Sequence, residues 1–457
     1  MSSRQMVSLR DRHVGAPLNI AIVGSGISGM AAAWLLSRRH RVTVFEKDGR
    51  LGGHSNTTLV QLGDRTVPVD TGFIVCNDVN YPNLVALFDH LQVPTKPSSM
   101  SFAVSVDGGA LEYSGGNGKL NGLFGQRRNL VRPRFWSMVQ DIVRFYREAP
   151  RDLSLGRLEG VTLGDYVTAA GYCEAFVEDH LLPMAAAIWS SPLAAMRDHS
   201  AASIVRFFEN HGLLRLQDRP QWRTVDGGSR EYVQRLTASY ADRVRLSCGA
   251  RSILRRGRGV WIEDETGALS RFDHVVIATH ADQALGLLDD PSPQERNLLG
   301  AIRYQANPAV LHQDESLMPR RQRLWSSWNY MRDGRGDAER SVYVTYWMNR
   351  LQGIDSTSPL FVTLNPPREP ARMLGTFLYH HPLLDAAATQ AQKRLWDLQG
   401  RRNTWFCGAY FGAGFHEDGL QAGLAVAEQL GGAWRPWDVP GESDRIYLRP
   451  LHLEAAE

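Results

Sequence analysis

Lysine is nearly absent from this chain of 457 residues: Lys47, Lys96, Lys119 and Lys393 are the only four, and arginine carries almost all of the positive charge. The formal net charge is +3, too small a balance to suggest a nucleic acid partner. Cysteine is also scarce. Cys76, Cys173, Cys248 and Cys407 are widely scattered, without the paired spacings of a zinc site or a disulfide framework. No metal is therefore expected, and a reducing cytoplasm is the simplest home. Apolar runs of about 18 residues do not occur, so no membrane span is expected. The N-terminal stretch holding Ser2, Ser3, Arg4, Arg10, Asp11 and Arg12 lacks the apolar core of a secretory signal and reads as a disordered lead-in. Internal repeats and low-complexity segments are missing too. The length exceeds one typical domain, so two or more lobes are expected.

What the chain does have is patterned glycine. Ile20 to Val23 is an apolar strand that runs into Gly24, Gly26 and Gly29; a helix follows, and a second strand, Val42 to Phe45, ends on Glu46. Each part has a task in holding a dinucleotide. Gly24 makes the tight turn, Gly26 lets the backbone approach a pyrophosphate, and Gly29 lets the helix pack closely on the strand. The helix N-terminus presents free N–H groups and a positive dipole end to the phosphates. Glu46, 22 residues after Gly24, is placed to accept hydrogen bonds from the hydroxyls of an unphosphorylated ribose. Gly52 and Gly53, followed by His54, let the chain pass close to the phosphates again, which tilts the cofactor from NAD to FAD. Val67 to Phe73 then reads as a short strand and turn running toward the flavin ring, with Thr71, Gly72 and Phe73 as contacts; read alone, it also fits an ordinary hairpin.

Residues 79–216 lose this rhythm and read as long helices joined by turns. Tyr81 to Leu91 and Arg134 to Glu148 carry apolar residues at helical spacing, and Thr162 is a plausible N-cap with Asp165 three residues on. Leu181 to Trp189 reads as a buried wall. The nucleotide-binding rhythm returns with Thr224 to Ser229, a helix from Arg230 to Tyr240, a strand from Arg243 to Leu246, and the apolar run Phe272 to His280. A second excursion, 301–394, contains Val342 to Trp347, which reads as a strand covered on both faces.

The last informative segment runs from Trp405 through Gly408, Gly412, Gly414, Phe415, His416 and Glu417 to Leu430: strand, glycine-rich loop and a helix starting near Glu417. Its free N–H groups would point at the flavin N1–C2=O edge, where negative charge gathers on reduction. These three segments in this order resemble the flavin-containing amine oxidase and phytoene desaturase superfamily of FAD enzymes, over residues 18–432. More narrowly, Asp70 to Val75, Leu182 to Trp189, Pro220 to Thr224 and Gly414 to Gly419 resemble a bacterial subgroup of NAD/FAD-binding proteins that includes the flavin-dependent desaturase of furan fatty acid biosynthesis. Members of that subgroup are often encoded beside lipid methyltransferases.

The resemblance implies an α/β fold: a Rossmann-like FAD-binding domain of the glutathione-reductase type, amine oxidase-like, with an inserted mixed α+β substrate domain. Residues 17–78, 217–300 and 395–432 would form the discontinuous FAD domain, 79–216 and 301–394 the substrate domain, and 1–16 and 433–457 terminal extensions. To the cofactor contacts already named it adds Ile27, Ser28, Lys47, Val244, Thr279, Gly408, Glu417, Asp418, Gly419 and Leu420. Residues 380–403 lack the cysteine that monoamine oxidases bind to flavin, which implies a non-covalent FAD.

The resemblance also brings departures. Phe415 stands where amine oxidases place one tyrosine of the pair that sandwiches the substrate amine, and no lysine between Lys119 and Lys393 can hold the water that many of them keep near flavin N5. Desaturation of a lipid or fatty-acyl substrate, such as a methylated acyl chain, makes weaker polar demands. Met184, Ile188, Trp189, Trp347 and Phe415 are the expected lining of its tunnel. His416, His280 and Tyr346 are the candidate catalytic groups, with His54 and His312 as further candidate proton acceptors. The alternatives are an amine oxidase, or an FAD-binding partner of a lipid methyltransferase. Arg127 to Trp136, rich in arginine and apolar residues, could rest on anionic headgroups at the inner face of a membrane.

Overall fold

A computed structural model describes residues 16–115, 120–189, 193–210, 212–215, 220–257, 259–333 and 341–450. The expected lead-in before residue 16 and the last seven residues lie outside them. The chain forms two compact units: one from residues 1–53, 236–300 and 394–457, the other from 54–235 and 301–393. Residues 54–78 and 217–235 thus go with the second unit and not with the FAD domain that the resemblance implies for them.

The first unit is a parallel sheet covered on both faces. β1 (Asn19–Val23) leads to α1 (Ile27–Leu36) and β2 (Arg41–Phe45); β3 (Val244–Arg245), β4 (His274–Ile277), β5 (Thr404–Phe406) and α2 (His416–Gln429) come from the returning segments. The strand order is β3-β2-β1-β4-β5, all parallel, with Ile20 beside both Val42 and His274, and Ile277 beside Phe406. Ile20, Ile22, Val42, Val44, Val275, Val276 and Ile277 are buried, the continuous apolar run that a parallel strand needs when both of its faces are covered. All ten residues of α1 are buried too, which accounts for its lack of a polar face. A three-stranded antiparallel sheet (Ala250–Arg256, Gly259–Asp264, Leu269–Phe272) fills the excursion between β3 and β4.

The second unit is built on a seven-stranded mixed sheet. Its order is Met373–Leu383, Arg303–His312, Phe361–Leu364, Ser341–Trp347, Trp328–Asp333, Phe102–Val106, Leu111–Gly115, and the one parallel pairing joins Trp328–Asp333 to Phe102–Val106. Here the structure corrects the reading of 79–216 as helices and turns: Thr95–Ser98, Phe102–Val106 and Leu111–Gly115 are strands. Phe102 to Val106 is short and apolar, and the Asp107-Gly108-Gly109 turn after it closes a hairpin rather than a helix. The expected helices do form, as Pro82–His90 and Pro133–Ser154, and Thr162 caps its helix by accepting the Asp165 N–H. Among the described residues, none of the helices is long and apolar enough to cross a membrane.

Candidate flavin and substrate site

The glycine loop of the first unit is shaped by contacts that a side chain would break. Gly24 has φ +97° and a Cβ there would meet the Ala278 carbonyl at 3.0 Å, while Thr279 lies against the same turn. A Cβ on Gly29 would stand 2.0 Å from the Gly24 oxygen, so only glycine lets α1 sit this close to β1. Gly26 differs: a Cβ on it would meet nothing within 4 Å. It is also the N-cap of α1 and offers no side-chain cap, so the first N–H groups of the helix keep their donors for an anion. The Gly52 N–H donates to the Ser25 carbonyl at 3.1 Å, and a Cβ on Gly53 would come 3.1 Å from Gly26 Cα; the second glycine pair therefore lies on the first loop.

Glu46 closes this end. Its Oε2 accepts from Ser25 N–H at 2.9 Å and Ser25 Oγ at 2.5 Å, and its Oε1 accepts from Asp48 N–H at 2.9 Å. A carboxylate has about four acceptor positions, so one remains for a ribose hydroxyl. Val244 runs parallel beside Val44, and Lys47 is exposed.

The start of α2 belongs to the same unit. A Cβ on Gly419 would meet Ile27 at 2.9 Å, and one on Gly423 would stand 2.2 Å from the Ser28 oxygen, so two glycines seat α2 on α1. The buried Asp418 accepts from Phe415 N–H at 2.7 Å and pairs with Arg445 Nε at 2.7 Å. Burial raises its pKa, against the pull of Arg445. Its charge is thus spent on cap and ion pair. Glu417 is buried with its Oε1 accepting from Gln421, Leu420 is buried, Gly408 is the N-cap of the short helix Ala409–Phe411 after the strand, and His416 opens the helix, partly exposed.

The second unit gathers His54 and the Thr71–Phe73 turn into one polar cluster. The Phe73 N–H donates to the His54 carbonyl at 2.8 Å, and a Cβ on Gly72 would stand 2.1 Å from that oxygen. The hydroxyl of Tyr379 receives Asn56 Nδ2 at 3.0 Å and shares a hydrogen bond with Thr71 Oγ1 at 2.7 Å. His54 packs on Tyr379 and on His381 with ring centroids 5.0 and 5.5 Å apart, and Phe377 stacks on Tyr379. Asn307 Nδ2 lies 2.9 Å from His381 Nδ1. Burial, and then the neighbouring His54 and His380, push the pKa of His381 down to about 3, so its ring is neutral at pH 7.

The sequence reading missed Tyr379, His381, Asn56 and Asn307. Alternation places Phe377, Tyr379 and His381 on one face of the Met373–Leu383 strand, which is the signal that could have found two of them.

Beneath the cluster, buried Asp70 accepts from Thr57 at 2.6 Å, from Ser229 N–H and Oγ at 2.9 and 2.8 Å, and from Gln352 at 3.0 Å. Burial raises its pKa to about 6 against these donors. The glycine-rich 226–229 string, read from sequence as part of the cofactor domain, serves here to dock a helix onto this hairpin: a Cβ on Gly228 would meet Thr57 at 2.5 Å.

Other expected site residues have structural tasks. His280 caps the helix Ala281–Leu287 by accepting a backbone N–H, and its own N–H reaches Gln283. His312 is fully buried between Thr363 and the Asp314 N–H, its pKa pushed down to about 4 by burial. Tyr346 packs edge-on against Trp328, and Trp347 against Trp325 on the opposite face. Met184, Ile188 and Trp189 share the helix Leu182–Trp189, with Trp189 packed on Phe207 at 4.8 Å. Phe415 is the N-cap of α2 in the first unit.

An uncapped helix over a glycine cradle, a buried acid at the end of β2 and a second glycine-seated helix fit the class that the comparisons show, the FAD-dependent oxidoreductases of amine oxidase-like fold. The chain belongs to the flavin-containing amine oxidoreductase family, whose model matches residues 27–312, and its cofactor is FAD. It is 27% identical over 285 residues to AofH, a Mycobacterium tuberculosis protein named for flavin-containing monoamine oxidases; the alignment spans 61% of this chain and 60% of that protein. Among solved structures it is similar in fold to a putrescine oxidase (TM-score 0.64, 13% identity, 91% of this chain and 99% of that one). It is similar to a CLA-producing fatty acid isomerase from P. acnes (TM-score 0.63, 14%, 92% and 99%) and to cyclohexylamine oxidase from Brevibacterium oxydans (TM-score 0.60, 16%, 91% and 99%).

Proposed function

We propose that this chain removes two hydrogens from a lipid or fatty-acyl substrate, such as a methylated acyl chain, with FAD as the electron acceptor. The observation that carries this reading is the chemistry of the Tyr379 cluster. Two imidazoles, a phenol, a threonine hydroxyl and two carboxamides gather beside Phe377, with His381 held neutral and no lysine anywhere between Lys119 and Lys393. Such groups orient a neutral polar function and leave an apolar chain undisturbed. That the P. acnes relative in fold is a fatty acid isomerase is consistent with this.

FAD supplies the hydride acceptor. The chain's own residues bind and orient the substrate and take the other proton. His416 is the acceptor we assign, because a partly exposed imidazole at the start of α2 can bind and release a proton. Tyr379, fixed between Asn56 and Thr71 in the second unit, orients the substrate's polar group. Anaerobic incubation of the FAD-loaded protein with cellular lipid should bleach the flavin and give a product lighter by two hydrogens, and replacing His416 by Gln should abolish both.

Amine oxidation is the second reading, favoured by the family and by the amine-oxidising relatives in fold. It predicts bleaching by amines instead. Bleaching by neither would leave an FAD-binding partner of a lipid methyltransferase, resembling the desaturase subgroup in sequence alone. We infer that the FAD is held without a covalent link, because residues 380–403 contain no cysteine and the thiol of Cys407, beside the final loop, is fully buried. Acid precipitation should leave all of the flavin in the supernatant; flavin retained on the pellet would contradict this.

A further inference from the structure

Arginines that the flavin reading leaves unused gather at one hairpin of the second unit. Between the strands Phe102–Val106 and Leu111–Gly115, the turn residues Asp107, Gly108 and Gly109 all have positive φ, of 51°, 59° and 85°. The carbonyls of this turn collect donors: Arg128 Nη2 and Arg132 Nη1 reach the Ala110 oxygen at 2.6 and 2.9 Å, and Gln126 Nε2 reaches both Gly109 and Ala110. Asn129 Nδ2 donates to the Glu112 carbonyl at 3.0 Å, which fixes the segment after Gln126 to the hairpin. Arg320 lies across the glycines, where a Cβ on Gly108 would come 3.0 Å from its Nη2. Asp107 to Ala110 with Arg128, Arg320 and Arg321 line an open cavity of about 490 Å³.

Little acid balances this charge. Arg321 pairs with buried Glu112 at 2.5 Å, and the Arg320 backbone N–H donates to the same carboxylate at 2.7 Å, whereas among the described residues the guanidinium groups of Arg127, Arg128, Arg132, Arg320 and Arg323 form no ion pair, and Asp107 is the one acid of the lining. Burial, together with the charges of Arg128 and Arg321, lowers the pKa of Arg132. Apolar side chains crowd the same segment. Val131 is 82% exposed, Leu130 48% and Trp136 42%, and Trp136 is held in place by donating to the Leu130 carbonyl at 2.9 Å and packing on Phe124. Isolated exposed apolar residues are ordinary, but three in one place beside uncompensated arginines form a patch.

We propose that this patch docks on a bilayer containing anionic phospholipid, with a headgroup phosphate held at the arginine cavity and Leu130, Val131 and Trp136 entering the interface. Guanidinium groups suit phosphate, and a tryptophan with an aliphatic pair suits the boundary between headgroup and acyl chain. A nucleic acid would engage the arginines and leave Val131 idle. Docking stands apart from the substrate reading, since a surface can bind a membrane whatever the flavin oxidises.

The test is co-sedimentation of the full-length, FAD-loaded protein with vesicles of phosphatidylcholine alone or mixed with phosphatidylglycerol, at low and high salt. Binding should require phosphatidylglycerol, weaken with salt, and fall about fivefold for each of Arg127→Gln and Arg320→Gln. Val131→Ser should weaken it as well, and none of the three should change the bound flavin. Equal or absent binding to the two vesicle types overturns the proposal. So does full binding by Val131→Ser, release from vesicles by inorganic phosphate with Val131 irrelevant, or preferential capture by a short RNA.

Discussion

Tyr379 holds its place through its hydroxyl, which has two partners, Asn56 and Thr71, on a chain segment more than 300 residues away. Replacing Tyr379 by Phe keeps the ring stacked on Phe377 and removes that anchor. About 1–3 kcal/mol of stability should be lost, the cost of leaving a buried donor without its acceptor. The variant should retain FAD, and flavin reduction by substrate should slow about tenfold, which corresponds to one oriented hydrogen bond. Stopped-flow reduction beside a thermal melt checks both. A rate equal to that of the parent would remove Tyr379 from the substrate's surroundings. The sequence alone offered little here. Alternation along one strand can group Tyr379 with His381, but pairing Asn56 with Tyr379 takes the folded unit, because the two belong to segments that share no sheet.

At the scale of elements, α1 and α2 owe their close approach to glycine. Gly29→Ala puts a methyl group 2.0 Å from the Gly24 oxygen, so the helix must move off β1. Overpacking of this kind costs about 1–3 kcal/mol, and the uncapped N-terminus moves with the helix. The purified variant should therefore be colourless as well as less stable; full flavin occupancy would contradict the role given to the loop. These parts were the most legible ones. Gly24, Gly26, Gly29, Glu46, Gly52 and Gly53 are local backbone requirements, written as residue types at fixed spacing; β1, β2 and α2 start and end within a residue or two of where the pattern puts them, and α1 lies between the two strands as expected. The second unit was read less well. Phe102 to Val106 pairs with a strand more than 200 residues later, and residues such as His280 and His312, chosen for their chemistry, are used by the fold as a helix cap and a buried sheet contact. Exchange of 54–78 and 217–235 between domains has the same cause: Asp70, Ser229 and Gln352 meet in space through bonds that no local pattern encodes.

For the whole molecule, burial sets the response to acid. The pKa of His381 is pushed down to about 3, and those of His180, His199 and His312 to about 4, from an ordinary 6.5. Each folded value lies below the unfolded one, so the unfolded chain binds more protons as pH falls from about 6.5 toward 4, and stability is lost across that window. Asp70 has the opposite sign. Raised from 3.8 to about 6, it contributes stability that is complete below 3.8 and lost as pH rises through 6. Asp418, Asp179 and Asp444 are raised like Asp70, whereas Asp314, Glu295, Asp290 and Asp385 are held low and lose stability in acid as the histidines do. The histidines and the lowered carboxyls together outweigh the raised ones, so Tm should be lower at pH 4.5 than at pH 7, and Asp70→Asn should steepen the fall; a flat profile would contradict the buried neutral rings. The measurement that bears most directly on the central claim is anaerobic flavin bleaching by two substrate pools, cellular lipid and a set of primary amines, followed by mass analysis of the lipid. The account predicts bleaching by lipid with a product two hydrogens lighter. Bleaching by amines alone, with the lipid unchanged, would contradict it.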